Sequence, residues 1–213
     1  MVASLMRSGT HVLIDCILNN FDRYRRRPLY VDLDQFVSQG LDWHRIVDQA
    51  GPYVVKTHFP QFQCTGLEEA VTQLLNTAKV VIPQRSAADV LESSEAFDTG
   101  LTPDELTQSM QAFHQFWLRV PHLPVEFAQL VDRDGAPRQI ERLAAYLRES
   151  PRVPPVLPPD AARRLGIYSA KLATRLLGDH APVINTTIRF SGGRSPLRHG
   201  EARGDPPSSS PSR

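Results

Sequence analysis

Arg7, Ser8, Gly9 and Thr10 stand between a short apolar run, Val2 to Met6, and a helical pattern that begins at Thr10. That order sets an anion cradle between a strand and a helix. A helix start leaves backbone N–H groups unbonded, its dipole favours negative charge, and a glycine lets an oxyanion come close to the backbone. Arg7, Ser8 and Thr10 add side-chain donors, and His11 opens the helix beside them. Two later β-type runs also end on polar chemistry. One closes on Lys56, Thr57 and His58; the other closes on Arg85, with Ser93 eight residues further on. An imidazole titrates near neutrality, so His58 at a strand end can accept a proton from a reacting hydroxyl. Spacing alone favours a buried structural histidine over that role.

The cradle is not the loop of nucleoside-triphosphate-binding proteins. Laying GxxxxGK[ST] with its second glycine on Gly9 needs Gly where Ser4 stands, Lys where Thr10 stands and Ser or Thr where His11 stands. An ATPase or a simple kinase is disfavoured on that ground, and a nucleotide or small-molecule kinase of related fold is kept as the enzymatic runner-up.

Three ordered segments together resemble the sulfotransferases that use 3′-phosphoadenosine 5′-phosphosulfate (PAPS). Arg7-Ser-Gly-Thr10 is similar to that family's 5′-phosphosulfate loop, Lys/Arg-Ser-Gly-Thr. Val54-Val-Lys-Thr-His-Phe-Pro60 is similar to its strand ending in Lys-Thr-His-x-Pro. Val80 to Ser93 is similar to its 3′-phosphate segment, with Arg85 at the strand end, Asp89 and Val90 four and five residues on, and Ser93 eight residues on. The resemblance implies a P-loop-NTPase-like three-layer α/β fold with a central parallel sheet flanked by helices. It implies sulfuryl transfer from PAPS, without a metal, to a hydroxyl or amine of a small-molecule or glycan acceptor.

In that reading Arg7, Ser8, Gly9, Thr10 and His11 hold the 5′ end of PAPS, and Arg85 and Ser93 hold the 3′-phosphate. Lys56 steadies the bridging and leaving oxygens, where charge grows as the sulfur–oxygen bond breaks. His58 is the general base, and Thr57 packs or caps rather than reacts. Asp89 orients Arg85 or the helix start, since a carboxylate repels phosphate. Near the C-terminus Arg198 and Gly200 correspond to the family's Arg-Lys-Gly-x-x-Gly-Asp-Trp lid. Here one extra residue intervenes before Gly204-Asp205, and Pro206 stands where Trp belongs. That departure motivates a rival of another class, a PAPS-binding or 3′-phosphoadenosine-5′-phosphate-binding pseudoenzyme.

The elements that must position these groups read as alternating strands and helices, the sign of a parallel α/β sheet. Strands are predicted over Val2 to Met6, Tyr53 to Thr57, Lys79 to Pro83 and Pro124 to Ala128. Helices are predicted over Thr10 to Asn20, Asp32 to Gln49, Gly66 to Ala78, Ser86 to Phe97, Thr102 to Arg119, Pro137 to Arg148 and Asp160 to Leu177. Thr102-Pro-Asp-Glu105 is a capping box with Pro in the first turn. Met110, Phe113, Phe116 and Trp117 form a core-facing stripe on the helix that follows.

With 213 residues the chain is expected to form one domain, residues 1–190, followed by a disordered Gly/Pro/Ser/Arg-rich tail, 191–213. Lys+Arg number 24 against 23 Asp+Glu, so nothing global selects nucleic acid or an acidic membrane, and any anion site must be local. Cys16 and Cys64 lack metal-type spacing and are expected to be unpaired packing residues in a reducing compartment. No apolar run approaches a bilayer span and no signal sequence is visible, so a cytoplasmic protein is expected. Oligomeric state is left open.

Overall fold

The computed structural model describes residues 1–25, 30–47, 52–96 and 101–157. The expected helix over 160–177, the tail, and with it Arg198 and Gly200, lie outside the described residues. Five parallel strands run in the order β2-β3-β1-β4-β5: β1 Val2–Ala3, β2 Tyr30–Asp32, β3 Val54–Thr57, β4 Val80–Gln84 and β5 His122–Glu126. An α/β fold with a parallel central sheet is therefore what this sequence builds.

Alternation along the strands divides the core in two, because successive side chains point to opposite faces. Ala3, Val55, Val80 and Ile82 pack on one face with Leu67, Val71 and Leu74 of α5 (Leu67–Leu75) and with Phe113 and Trp117 of α7 (Pro103–Trp117). Val2, Val54, Val81 and Val125 pack on the other face, against Leu13, Ile14 and Ile17 of α1 (Thr10–Asn20), which the short α2 (Asp22–Arg25) follows, and against Ile140 and Leu143 of α9 (Ala136–Leu147). Both faces are covered, as a parallel sheet requires.

The central strand therefore feeds one face while both of its neighbours feed the other. The chain leaving β1 enters α1; those leaving β3 and β4 lead to α5 and α7 across the sheet. The turn after β1 thus stands at a switch point at the carboxyl edge, where open α/β sheets bind ligands. Pro83 helps to open that edge. Val81 N donates to Met1 O, so the nitrogen of Pro83, two residues on, faces the same side but has no hydrogen to give, and β1–β4 pairing stops at Val81.

Several sequence expectations change, among them the first strand, which is Val2–Ala3 where Val2 to Met6 is expected. Strand β2 was not anticipated; three residues are too few for a period-2 pattern to emerge. The helix expected over Asp32 to Gln49 is instead α3 (Leu33–Ser38) and the short α4 (His44–Val47), separated at Gly40, whose φ of 68° ends the first segment. The last strand begins two residues earlier than expected and gives way at Phe127 to a short helix, α8 (Phe127–Val131), where a continued strand was read. Pro124 is tolerated because β5 lies at the sheet's edge. The capping box at Thr102 and Glu105 forms as expected, with both reciprocal bonds present. Cys16 and Cys64 are free thiols, Cys16 buried and Cys64 half-buried.

Candidate functional site

The turn after β1 is held open by its own side chains. Arg7 and Gly9 both adopt left-handed backbone, φ 69° and 99°. Ser8 Oγ donates to Leu5 O at 2.8 Å, Ser4 Oγ and Thr10 Oγ1 lie 2.7 Å apart, and Met6 N donates to Gln61 Oε1 at 2.7 Å. The hydroxyls of Ser8 and Thr10, expected as ligand donors, are thus engaged in fixing the turn. Among the described residues no side chain caps the start of α1. Gly9 has a steric role that the motif did not suggest. A Cβ there would lie 2.2 Å from Cδ2 of Phe127, so the missing side chain makes room for an aromatic ring.

Phe127 also carries Arg85. The guanidinium lies 4.9 Å from the ring centroid, and its Nη1 donates to Arg7 O at 2.9 Å. Arg85 Nε is buried without a hydrogen-bond partner among the described residues. Arg7 Nε in turn donates to Ser93 Oγ at 3.1 Å, reaching α6 (Ala87–Glu95), whose N-cap is Ser86. Asp89 supplies its backbone N–H to that cap and is exposed. Burial and the neighbouring Arg85 charge both press the Arg7 pKa down from its usual value. Two cations and a hydroxyl are therefore gathered in one place, an arrangement that an oxyanion would relieve.

The end of β3 supplies the second half of the site. Lys56 Nζ, almost fully buried, donates to Asp32 Oδ2 at 2.7 Å. Thr57 Oγ1 donates to Asp34 Oδ1 at 2.6 Å and accepts from Phe59 N at 3.1 Å, so its role is structural. His58 N donates to Asp34 Oδ2 at 2.7 Å. The His58 ring is only 9 % exposed, with Nδ1 2.6 Å from Ser4 O. A carbonyl oxygen only accepts, so Nδ1 carries the proton and Nε2 is the basic nitrogen. Burial, then the Lys56 charge, pushes this imidazole down to about 3 against the opposing Ser4 bond. The near-neutral titration expected from its type is corrected: His58 is neutral throughout the physiological range. His11 Nε2 pairs with Tyr30 OH at 3.1 Å on the β2 side.

The structure thus brings Arg7, Arg85 and Ser93 together and links His58 to the turn after β1 through Ser4, while the Lys56 side chain is held by Asp32. Asp32, Asp34, Gln61 and Phe127 were not singled out from the sequence. Asp32-Leu-Asp34 straddles the start of α3, and two carboxylates at that spacing beside a strand lysine was the signal that could have raised the first two. Among the described residues no group of His, Cys, Asp or Glu is arranged to hold a metal ion, and no helix is long and apolar enough to cross a membrane. Comparisons with protein-family models, with curated proteins and with solved structures found no match.

Proposed function

We propose that this protein transfers a sulfuryl group from PAPS to a hydroxyl or amine of a small-molecule or glycan acceptor. One observation carries the reading: Arg7, after β1, bonds Ser93 of α6 and receives Arg85 on its carbonyl, so the two segments that resemble phosphate-binding motifs meet at one sheet edge. The buried Nε of Arg85, without a partner among the described residues, fits an anionic ligand. The strand order, with the anion turn on the central strand, supports a P-loop-like three-layer fold. A cytoplasmic setting suits a donor drawn from the cytosolic activated-sulfate pool.

In this reading the acceptor oxygen or nitrogen bonds to sulfur as the bond between sulfur and the 5′-phosphate oxygen breaks, and that oxygen leaves with the electron pair. Lys56 and Arg7 offset its growing charge. The acceptor's proton passes to His58 Nε2. A neutral imidazole is in the right state to receive it, and the acceptor proton becomes acidic as the bond to sulfur forms.

The same lowering of His58 basicity favours a second reading, a protein that binds 3′-phosphoadenosine 5′-phosphate without turnover. Titration with 3′-phosphoadenosine 5′-phosphate, ATP and GTP, followed by transfer from radiolabelled PAPS to an acceptor panel, separates the two. Binding of the first with transfer supports the enzyme, binding without transfer supports the pseudoenzyme, and preference for ATP overturns both.

A further inference from the structure

Asp34 is a buried carboxylate near the site, 5 % exposed, and among the described residues both hydrogen bonds of its carboxylate go to the segment carrying the proposed proton acceptor. Its two oxygens take donors from two adjacent residues at the end of β3, the Thr57 hydroxyl and the His58 amide. Because Thr57 Oγ1 also accepts from Phe59 N, the carboxylate organises three consecutive residues around His58. We propose that Asp34 is a positioning residue for sulfuryl transfer, clamping the carboxyl end of β3 so that His58 and the neighbouring Lys56 keep their places beside the turn after β1. The proposal rests on the sulfuryl-transfer reading.

Holding an ionised carboxylate there is costly, and the surroundings show how it is managed. Burial pushes the Asp34 carboxyl up to about 6, while the Thr57 hydroxyl, the Lys56 charge and the His58 N–H pull it back and Asp32 pushes it further up. Cys64, after β3, also faces it, and the carboxylate's charge helps raise that thiol. On acidification an O–H replaces one acceptor where two donors need two, and Lys56 loses the nearby Asp34 charge while keeping its direct pair with Asp32. His58 is already neutral and stays so to about 3. An acid limb of activity with a midpoint of about 6 is therefore expected from Asp34 and not from the histidine.

The test follows two readouts on the full chain: turnover of PAPS with a fixed acceptor between pH 5 and 8, and the ¹⁵N–¹H resonance of the His58 amide over the same range. In the parent both should titrate together with a midpoint of about 6. Asp34→Asn should flatten both, lower kcat by roughly tenfold to a hundredfold as a misplaced group does, and leave the affinity for 3′-phosphoadenosine 5′-phosphate within about twofold, a change small against the tenfold per 1.4 kcal/mol of binding energy. Thr57→Val removes one arm only. It should move the midpoint upward, because the bond that lowered the pKa is gone, and it serves if Asp34→Asn does not fold. An amide that does not titrate, or kcat and pH profile unchanged in Asp34→Asn, overturns the proposal. A parent that transfers nothing overturns the sulfuryl-transfer reading and the catalytic role with it, while the amide titration separately decides the clamp.

Discussion

Arg85 Nη1 donates to the carbonyl oxygen of Arg7 at 2.9 Å, so the cation expected at one end of the donor is also a brace for the turn expected at the other. The resemblance to sulfotransferase motifs implies that the two arginines serve opposite ends of PAPS, with Arg85 reading the 3′-phosphate. The structure makes them mechanically dependent.

Arg85→Ala should therefore weaken adenosine 5′-phosphosulfate, which has no 3′-phosphate, as well as 3′-phosphoadenosine 5′-phosphate. Losing one charged hydrogen bond is worth about 1.5–3 kcal/mol, roughly tenfold to a hundredfold in Kd. Calorimetric titration of both ligands checks this. Adenosine 5′-phosphosulfate affinity equal to the parent's would show that the brace does not matter and return Arg85 to a purely 3′-phosphate role.

His58→Ala should lower turnover by about 10² to 10⁴, the usual contribution of a general base, with the affinity for 3′-phosphoadenosine 5′-phosphate nearly unchanged. Thermal unfolding must be read alongside, since the variant leaves the Ser4 carbonyl without its imidazole donor. Near-normal transfer by a folded variant would make His58 a structural residue that orients Ser4.

Gly9→Ala meets two separate penalties. The φ of 99° disfavours any side chain, and the new methyl would overlap the Phe127 ring. Left-handed backbone alone costs about 1–2 kcal/mol. Trimming the ring in Gly9→Ala/Phe127→Ala removes the collision but not the backbone strain. Against Phe127→Ala as reference, denaturant unfolding should show the Gly9→Ala loss fall toward that backbone figure. A loss as large as in the parent background would mean that Phe127 is not what the methyl strikes.

The two buried titrating groups act in opposite senses on stability. His58 is depressed from 6.5 to about 3, so between those values the unfolded chain binds the extra proton and stability is lost as pH falls. Asp34 is raised from 3.8 to about 6, so in that window the native chain binds the extra proton and stability is gained as pH falls. Each is worth about 1.4 kcal/mol per pH unit, and between about pH 4 and 6 they offset each other. Asp34→Asn should expose the histidine, its stability relative to the parent falling on acidification. His58→Asn should show the reverse. Denaturant midpoints of the three proteins at pH 4, 5, 6 and 7 test this, and parallel curves for all three would contradict it.

The parallel α/β architecture and most of its elements were legible in the sequence because each rests on local information. Alternating apolar runs mark β3 and β4, the 3.6-residue stripe marks α1 and α5, and Thr102 and Glu105 cap α7 through neighbours three residues apart. Arg7, Lys56, His58, Arg85 and Ser93 could be picked out because the three segments that carry them resemble ordered sulfotransferase motifs, not because position at a strand end alone marks them. What those side chains touch depends on contacts across many tens of residues, which no spacing encodes: Arg7 with Ser93, Arg85 with Phe127, Asp34 with His58. Strand β2 was invisible for the same reason, since its three residues become a strand only when β3 is there to pair with them. The protonation of His58 was the least legible feature of all. Residue type places an imidazole near neutrality, and only the burial supplied by the folded chain, with Lys56 alongside, removes that charge.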